Sequence, residues 1–418
     1  MPRESPDPMY RRCSGDATVL WRVARPGGTP AAYREHIGST STAVSICRMS
    51  TNSLPVTAPP TEDLAPQGGR VVLKIGTSSL LTNGRLDAVK LDRLCEIVHR
   101  GLVAGLHPVL LASGAIAIGR GRHPALAVDD PAALQVSAAL GQSRLYSAVE
   151  AAFAERGVQT GQLLLTPPDL VEDERGGGVG HTLHTMLALG MVPVVNENDA
   201  LGVRNNDVLA ALLGGYLQAE LLLLLTNVPG FYDSNPKLAP GARHIEEVPV
   251  LTAETERQAG GAIGDGGTGG MLMKLGACWI ATYSGVRTVI AESADPDVLV
   301  AAHCGRPAGT VFHPRAVTGA TPGIGTLWRA FRTPPVGALH CTPAGTDVVV
   351  RGETVCHHHI AAVHGTVAPG DVVDICDQHG RPLARGPLSR AVEPGRPPTA
   401  PVVDGGDYVP IMEDLPCQ

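Results

Sequence analysis

The stretch "VVLKIGTSS", Val71–Ser79, is where this chain first acquires a clear structural pattern. A short apolar run rich in β-branched residues, closed by small residues, is typical of a buried strand that turns sharply into the next element. The residues before it, 1–69, are rich in Pro, Ser, Thr, Gly and Arg and show no sustained periodicity. We expect 1–69 to be a disordered extension, and we expect the natural translation start at Met49 or another downstream codon.

The pattern of the opening stretch recurs along the chain. Further apolar strands are predicted at 107–112, 158–166, 191–198, 220–228, 286–293 and 309–314, with helices at 86–105, 132–157 (one helix or two), 206–219 and 295–304. Strand and helix alternate, and the strands are continuously apolar, which is typical of a parallel sheet buried on both faces. The sequence therefore predicts an α/β three-layer sandwich over 70–318. Short β-type runs with Gly and Pro turns predict a small β-rich domain over 333–418.

Composition limits the classes of partner. The hydrophobic fraction is 44% but aromatic residues are only 3%, so the cores must be aliphatic. A net charge of −7 gives no global field that attracts nucleic acid or an anionic membrane. Nine cysteines occur without a C-x-x-C pair, which favours free thiols in a reducing compartment. No apolar run reaches the ~20 residues of a membrane span. We expect a cytoplasmic protein with neither nucleic acid nor membrane as partner.

Small residues and one lysine follow the first two predicted strands. In parallel α/β folds, ligands bind at the carboxyl ends of the strands. Lys74 lies near the end of the first strand, just ahead of Gly76, and Ser113 follows the second. Small residues let backbone N–H groups approach phosphate oxygens, and a lysine neutralises the charge that develops there. The alternative is an ordinary strand-to-helix turn with a solvated lysine.

The stretch "NENDALGVRNND", 196–207, concentrates amide and carboxylate side chains after one buried strand. Such side chains suit an amino-acid substrate, because they accept from an α-ammonium group and donate to a carboxylate. Asp207 can also hold two lysines in place by accepting from both. Helix capping and turn formation explain the same residue types equally well.

The glycine-rich stretch "GDGGTGGMLMKLG", 264–276, imitates two phosphate-binding motifs. It fits G-x-G-x-x-G, but the preceding residues 251–262 show no strand pattern, so the dinucleotide fingerprint fails on context. The Walker pattern fails because Lys274 comes four residues after Gly270. We expect the useful part to be Thr268–Lys274, with Lys274 opening the following helix toward phosphates.

Several motifs occur in the order found in one protein family. They are "VVLKIGTSSL", "LLASGAIAIGR", "GQSRL", "GQLLLT", "VPVVNEND", "LLLLLTN…GFYDSNP", "GTGGMLMKL" and "GTVFHP". Over about residues 70–418 the chain resembles the glutamate 5-kinases, which belong to the amino-acid kinase family and carry a C-terminal PUA domain. The resemblance implies ATP-dependent phosphorylation of the γ-carboxylate of L-glutamate to L-glutamyl 5-phosphate, the first step of proline biosynthesis.

The resemblance also implies the site residues. The catalytic residues it implies are Lys74, Lys274 and Asp207. The glutamate-binding residues it implies are Ser113, Asn196, Asp199 and Asn206. The ATP-binding residues it implies are Lys74, Gly76, Thr226, Asn227, Thr268, Gly269, Gly270, Met271, Leu272, Met273 and Lys274. ATP and Mg²⁺ are the implied cofactors, the metal being carried by ATP and not by protein side chains. A carboxylate is already nucleophilic, so catalysis needs positioning and charge neutralisation but no general base.

The same resemblance implies a homo-oligomer, feedback inhibition by proline, and a glutamyl-phosphate reductase that accepts the product. Three positions depart from the family pattern. Asn205 replaces an aspartate, Asn227 stands where aspartate is commonest, and "RGGGVGHTL" (175–183) replaces a different family stretch.

Other functions remain open at this stage. They are a catalytically weak regulatory protein that binds glutamate or proline, and a sister amino-acid kinase with another acid substrate. An RNA-binding role for 333–418 is disfavoured by five arginines against ten acidic residues. "CHHH" (356–359) is interpreted as a surface turn, because no second ligand pair stands at zinc-finger spacing.

Overall fold

A computed structural model describes residues 69–126, 130–173, 177–202, 205–236, 238–259, 269–316, 321–392 and 399–412. The expectations for residues 1–68 and for Thr268 therefore lie outside the described residues. Residues 203–204 of the stretch 196–207 and residues 175–176 of the stretch 175–183 also lie outside them.

The strands and helices follow the alternation expected from the sequence. The strands are β1 (Arg70–Ile75), β2 (Leu81–Thr82), β3 (Arg85–Leu86), β4 (His107–Ala112), β5 (Thr160–Leu165), β6 (Val192–Glu197), β7 (Leu221–Thr226), β8 (Phe231–Tyr232), β9 (His244–Ile245), β10 (Glu247–Val248), β11 (Arg287–Glu292), β12 (Thr310–Phe312), β13 (Gly337–Cys341), β14 (Val355–Cys356), β15 (Ile360–His364), β16 (Val372–Cys376), β17 (Pro382–Pro387), β18 (Pro401–Val403) and β19 (Val409–Pro410). The helices are α1 (Thr77–Leu80), α2 (Ala88–Val103), α3 (Ala115–Arg120), α4 (Pro131–Ala154), α5 (Pro167–Asp173), α6 (Gly178–Ala188), α7 (Asn206–Tyr216), α8 (Ala253–Ala259), α9 (Gly269–Tyr283), α10 (Val298–His303), α11 (Ile324–Phe331) and α12 (Pro343–Val350).

The large sheet has the strand order β10-β12-β11-β7-β1-β4-β6-β5. The strands from β11 to β5 pair in parallel, which confirms the prediction made from their continuous apolar runs. The sequence did not reveal that β12 pairs antiparallel to β11. The opening stretch lies at the centre, because β1 is hydrogen-bonded to β4 on one side and β7 on the other.

Helices cover both faces of this sheet, so the three-layer sandwich is confirmed. Successive side chains of a strand point to opposite faces. Val71 and Leu73 belong to one apolar core, and Val72, between them, belongs to the other. The first core contains residues of α2, α4 and α10, and the second contains residues of α6, α7, α9 and α11. By the same alternation Lys74 points to the side of α7 and α9, as its contacts show.

Close helix packing fixes the end of β4. A Cβ added at Gly141 in α4 would lie 1.8 Å from the carbonyl oxygen of Ala115, so α3 and α4 touch through their backbones. Gly114, between β4 and α3, has a φ of +128°, which L side chains rarely adopt. These two glycines let the chain turn sharply after Ser113 and hold that turn against α4.

The C-terminal region contains a five-stranded sheet, β15-β13-β16-β17-β19, with its own apolar core. Its predicted β-rich character is confirmed, but α12 was missed. Three valines at 348–350 favour a strand. However, the Thr342 side chain accepts from the backbone N–H of Gly345 at 3.1 Å, and Pro343 occupies the first helical position. This N-terminal cap favours a helix over a strand. The domain division at 318 and 333 stays a prediction.

Among the described residues, no helix combines the length and apolar character needed to cross a membrane.

Candidate active site

Two lysines share one buried aspartate at the carboxyl edge of the large sheet. Lys74 Nζ lies 2.9 Å from Asp207 Oδ1, and Lys274 Nζ lies 3.0 Å from Asp207 Oδ2. The three side chains come from β1, α7 and α9 and are between 8% and 11% exposed. Asp207 sits in the first turn of α7, where the helix dipole favours a negative charge. The residues are 133 and 67 positions apart in sequence, so only the fold brings them together.

Burial and charge shift the pKa values of this triad. Burial lowers the pKa of Lys74, and Lys274 lowers it further, although Asp207 opposes both. Burial alone would raise the pKa of Asp207, but Lys74 and Lys274 together hold that pKa below its usual range. The aspartate is therefore ionised, and its one carboxylate is shared between two lysines. The excess positive charge suits a phosphoryl group.

A chain of amide hydrogen bonds lies beside the triad. The backbone N–H of Glu197 donates to Asn206 Oδ1 at 3.0 Å, which fixes the orientation of that amide. Asn206 Nδ2 consequently donates to Ser113 Oγ at 3.2 Å and to Asn196 Oδ1 at 2.7 Å. Since Ser113 Oγ accepts from Asn206, its own O–H can donate to another acceptor. Three predicted glutamate-binding residues are thus connected in one network.

Sequence reasoning missed the far end of this network. Asn196 Nδ2 donates to Gln142 Oε1 at 2.6 Å, so Gln142 fixes the Asn196 amide. Gln142 belongs to the "GQSRL" stretch of α4, which is one of the family motifs but was not predicted to contribute a site residue. The local sequence around Gln142 does not indicate a contact with β6, because α4 and β6 come together only in the tertiary structure.

A cleft of about 270 Å³ opens in front of the triad. Its lining residues come from five segments of the chain: Lys74, Thr77, Ser113, Gly114, Ile116, Ala117, Asp199, Asn205, Asn206, Asp207, Gly270 and Met273. The short helices α1 and α3 and the longer α7 and α9 all begin at this edge, and helix N-termini present backbone N–H groups to anions. Lys74 in the lining suits an anion, and Asp199 with Asn206 elsewhere in the lining gives the cleft groups for a cation.

Predicted nucleotide-binding residues fall into two groups. Gly270 and Met273 line the cleft, whereas Met271 packs against the core beneath α9. Thr226 is buried at the end of β7 and Asn227 is exposed beside it, both outside the cleft lining. Gly76 N–H donates to the carbonyl of Leu225, so the ends of β1 and β7 adjoin. Gly76, Thr226 and Asn227 therefore lie at the same carboxyl edge of the sheet.

One expectation about the glycine-rich stretch was wrong. α9 begins at Gly269, so Lys274 lies in its second turn and does not open the helix. Gly269 and Gly270 form the first turn, and Leu272 is only partly buried. The Lys274 side chain reaches Asp207, which lines the cleft.

The profile of the amino acid kinase family matches residues 69–292. Glutamate 5-kinase of Bifidobacterium longum subsp. infantis is 38% identical over 76% of this chain and 85% of that protein. Glutamate 5-kinase 2 of Bacillus licheniformis is 33% identical over 76% of this chain and 87% of that protein. The chain belongs to the glutamate 5-kinases of the amino acid kinase family. Among solved structures, UMP kinase from Ureaplasma parvum aligns with 59% of this chain and 100% of its own, at 17% identity and a TM-score of 0.43.

One departure from the glutamate 5-kinase pattern has a local explanation. Asn205 Oδ1 accepts from the backbone N–H of Val208 at 3.2 Å and caps α7, which aspartate also does well. In addition, Asn205 Nδ2 lies 3.5 Å from the carbonyl oxygen of Arg332. An aspartate has no donor for that carbonyl, so the substitution adds a contact to the end of α11.

Proposed function

We propose that this chain transfers the γ-phosphoryl group of ATP to the γ-carboxylate of L-glutamate, giving L-glutamyl 5-phosphate in proline biosynthesis. The observation that carries the proposal is the Lys74–Asp207–Lys274 triad, which borders the Ser113–Asn206–Asn196 network. The curated glutamate 5-kinase relatives support the choice of substrate.

Glutamate occupies the part of the cleft next to α3 and α7. Asp199 lines this part and accepts from the α-ammonium group, while the Ser113 hydroxyl donates to a carboxylate oxygen. Asn206, with Asn196 behind it, orients Ser113 and completes the pocket. The γ-carboxylate is then directed toward the lysines.

Phosphoryl transfer follows from this placement. A γ-carboxylate oxygen of glutamate attacks the γ-phosphorus of ATP in line, the bond to the β,γ-bridging oxygen breaks, and ADP leaves. No proton is removed from the nucleophile, because the carboxylate is ionised at neutral pH. Lys274 and Lys74 neutralise the charge on the phosphoryl oxygens, and Asp207 keeps both ammonium groups in position.

ATP lies along the ends of β1 and β7 and over the first turn of α9. Gly76 and Gly270 leave room for phosphates, since an added Cβ would meet no atom closer than 3.8 Å at Gly76 and none within 4 Å at Gly270. Thr226 and Asn227 at the end of β7 contact the nucleotide, together with Thr268 and residues 269–274.

Magnesium enters with the nucleotide. Within the ranges that the structure describes, no three His, Cys, Asp or Glu side chains group closely enough to hold a metal. ATP-bound Mg²⁺ supplies further charge neutralisation on the phosphates when it is present.

Family membership supports four further parts of the proposal. We place the enzyme in the cytoplasm as a homo-oligomer whose acyl phosphate product passes to a glutamyl-phosphate reductase. Proline inhibits by occupying the glutamate part of the cleft, since its carboxylate and ammonium groups match those of glutamate. Inhibition that is competitive with glutamate is the expected kinetic pattern.

A hydroxylamine trap tests the function. Protein given ATP, Mg²⁺ and L-glutamate should form ADP and γ-glutamyl hydroxamate in equal amounts, and N-acetylglutamate and aspartate should give little product. Hydroxamate from another acid but not from glutamate would assign a sister kinase. Glutamate binding by calorimetry without any hydroxamate would assign a regulatory protein.

A further inference from the structure

A second buried charge cluster joins the C-terminal sheet to the kinase core. Arg385 of β17 is 2% exposed. Its guanidinium donates to both oxygens of Glu256 at 2.9 and 2.7 Å and to Asp374 Oδ1 at 2.7 Å. Glu256 lies on α8, at a distance of 129 residues along the chain. Bidentate arginine–carboxylate pairs fix both distance and angle, so this contact sets the position of α8 against β17.

Glu256 also holds the helix that carries Lys274. Trp279 Nε1 donates to Glu256 Oε1 at 2.9 Å, and Trp279 lies five residues after Lys274 on α9. The indole is fully buried and stacks on Phe331 with ring centroids 5.3 Å apart and planes 5° apart. In a chain with few aromatic residues, this stack concentrates them at the contact of α9, α11 and the C-terminal sheet.

α9 has a second attachment to the C-terminal region. The Tyr283 hydroxyl donates to the carbonyl of Pro410 in β19. Between Lys274 and Trp279, a Cβ added at Gly276 would lie 2.9 Å from the carbonyl oxygen of Phe331, so α9 packs closely against α11. Rotation or sliding of α9 is thus opposed at three points on one side.

The cleft has a separate connection to the same region. Asn205, which caps α7, lies 3.5 Å from the carbonyl oxygen of Arg332. The Arg332 guanidinium in turn donates to the carbonyl of Gly370 in the C-terminal region. Both helices that contribute to the triad, α7 and α9, are therefore connected to residues after 333.

We propose that Arg385 is a positioning residue for phosphoryl transfer: through Glu256 and Trp279 it holds α9 where Lys274 reaches both Asp207 and the transferring phosphoryl group. This inference rests on the proposed function, since it assigns a part of the chain outside the cleft to that reaction. The C-terminal sheet acts on catalysis through helix position. A displacement of about 1 Å in a catalytic group costs about 100-fold in rate, so a small movement of α9 is sufficient.

A double-mutant cycle tests the route through Lys274. Arg385→Lys keeps the charge but loses the planar fork, and we expect kcat to fall about 10-fold with the glutamate KM changed less than about 2-fold. In a Lys274→Ala background the same change should lower kcat by less than about 2-fold, because the residue it positions is absent. The trap is run with radiolabelled glutamate so that the slow variants remain measurable.

Arg351→Lys is the matched control. Arg351 also lies in the C-terminal region and forms a bidentate pair with Glu353, but both side chains are more than half exposed. It should leave kcat unchanged. Glu256→Gln keeps an acceptor for Trp279 and loses the ion pair, and it should resemble Arg385→Lys. Equal effects of Arg385→Lys in both backgrounds, at temperatures where every variant is folded, would overturn the proposal.

A second readout does not depend on activity. Met273 precedes Lys274 and its sulfur lies 3.9 Å from Asn205 Nδ2, so its labelled methyl NMR signal reports the position of α9 at the cleft. Arg385→Lys should shift this signal and Arg351→Lys should not. An unshifted signal contradicts the inference even if the wild type proves to phosphorylate no glutamate. Failure of the wild-type trap alone contradicts only the proposed function.

Discussion

Two buried ionic clusters in this molecule have opposite composition. At the cleft, one carboxylate, Asp207, is shared by two lysines. Between the large sheet and the C-terminal sheet, one guanidinium, Arg385, is shared by two carboxylates. Both consist of side chains with little exposure, and both join elements that are far apart in sequence.

The two clusters differ in the charge that remains unneutralised and in the place where that charge lies. The lysine cluster has an excess positive charge and borders the cleft, next to several helix N-termini. The arginine cluster uses its guanidinium within the protein, and the indole of Trp279 supplies a further donor to Glu256. A buried cluster that has excess charge and borders a cleft is suited to bind a ligand of opposite charge. A buried cluster whose charges are all paired within the protein instead holds structural elements in place. The variants below separate these two roles.

The largest effect is expected on stability, at the arginine cluster. Arg385→Met leaves two buried carboxylates without their partner and should lower the free energy of unfolding by about 3–5 kcal/mol. Chemical denaturation measures this. Arg351→Met, at an exposed pair, should cost less than about 1 kcal/mol. Equal losses in the two variants would mean that burial of the cluster contributes nothing.

The next effect is on turnover, at the lysine cluster. Lys274→Ala should lower kcat about 10²–10³-fold, because its ammonium group interacts most strongly with the charge of the transition state. The glutamate KM should change less than about 3-fold, since glutamate binds next to α3 and α7. The free energy of unfolding should change little, as Asp207 keeps Lys74. Equal losses in kcat and in glutamate affinity would contradict the role of Lys274.

A smaller effect is expected in the amide network. Asn206→Ala removes the donor to Ser113 and to Asn196. It should raise the glutamate KM about 10-fold, which corresponds to about 1.4 kcal/mol, and leave the ATP KM within about 2-fold. Gln142→Ala, one step further from the cleft, should act in the same direction but more weakly. A rise in the ATP KM alone would place Asn206 on the nucleotide side.

The smallest expected effect is on the pH dependence of stability, which should have opposite sign for Asp207 and Asp374. The pKa of Asp207 is lowered in the folded chain, so its contribution to stability is present above pH 3.8 and is lost as the pH falls through its folded pKa. The pKa of Asp374 is raised, chiefly by burial, so its ionised form destabilises the fold at neutral pH and this cost is relieved as the pH falls.

Denaturation curves from pH 3 to 7 test this contrast. As the pH falls, the stability advantage of wild type over Asp207→Asn should shrink. Over the same range the stability of wild type relative to Asp374→Asn should increase. Parallel curves for both variants would remove the contrast between the two clusters.

The sequence was sufficient for the parts of the fold that depend on local pattern. Continuous apolar runs identified the parallel strands, and the order of motifs identified the residues at their carboxyl ends. Asp207 was expected to accept from both lysines, and the structure shows both contacts. Their roles in catalysis stay a prediction.

Contacts that depend on tertiary packing were not accessible from the sequence. Gln142 reaches Asn196, and Arg385 reaches Glu256, only through the folded arrangement. The valines of α12 favour a strand, but the N-terminal cap at Thr342 stabilises a helix. Local propensity cannot report which distant side chain satisfies a buried charge.

An oxygen-transfer measurement identifies the atom that attacks the γ-phosphorus of ATP. L-Glutamate labelled with ¹⁸O in its γ-carboxylate is incubated with ATP, Mg²⁺ and hydroxylamine, and the released phosphate is analysed by mass. Attack of the γ-carboxylate on the γ-phosphorus places one ¹⁸O in the bridging position, and hydroxylamine then expels phosphate carrying it. We expect one ¹⁸O in each phosphate, formed in equal amount with hydroxamate. Unlabelled phosphate formed at the rate of ADP production would show that ATP is hydrolysed by water, and would contradict the assignment.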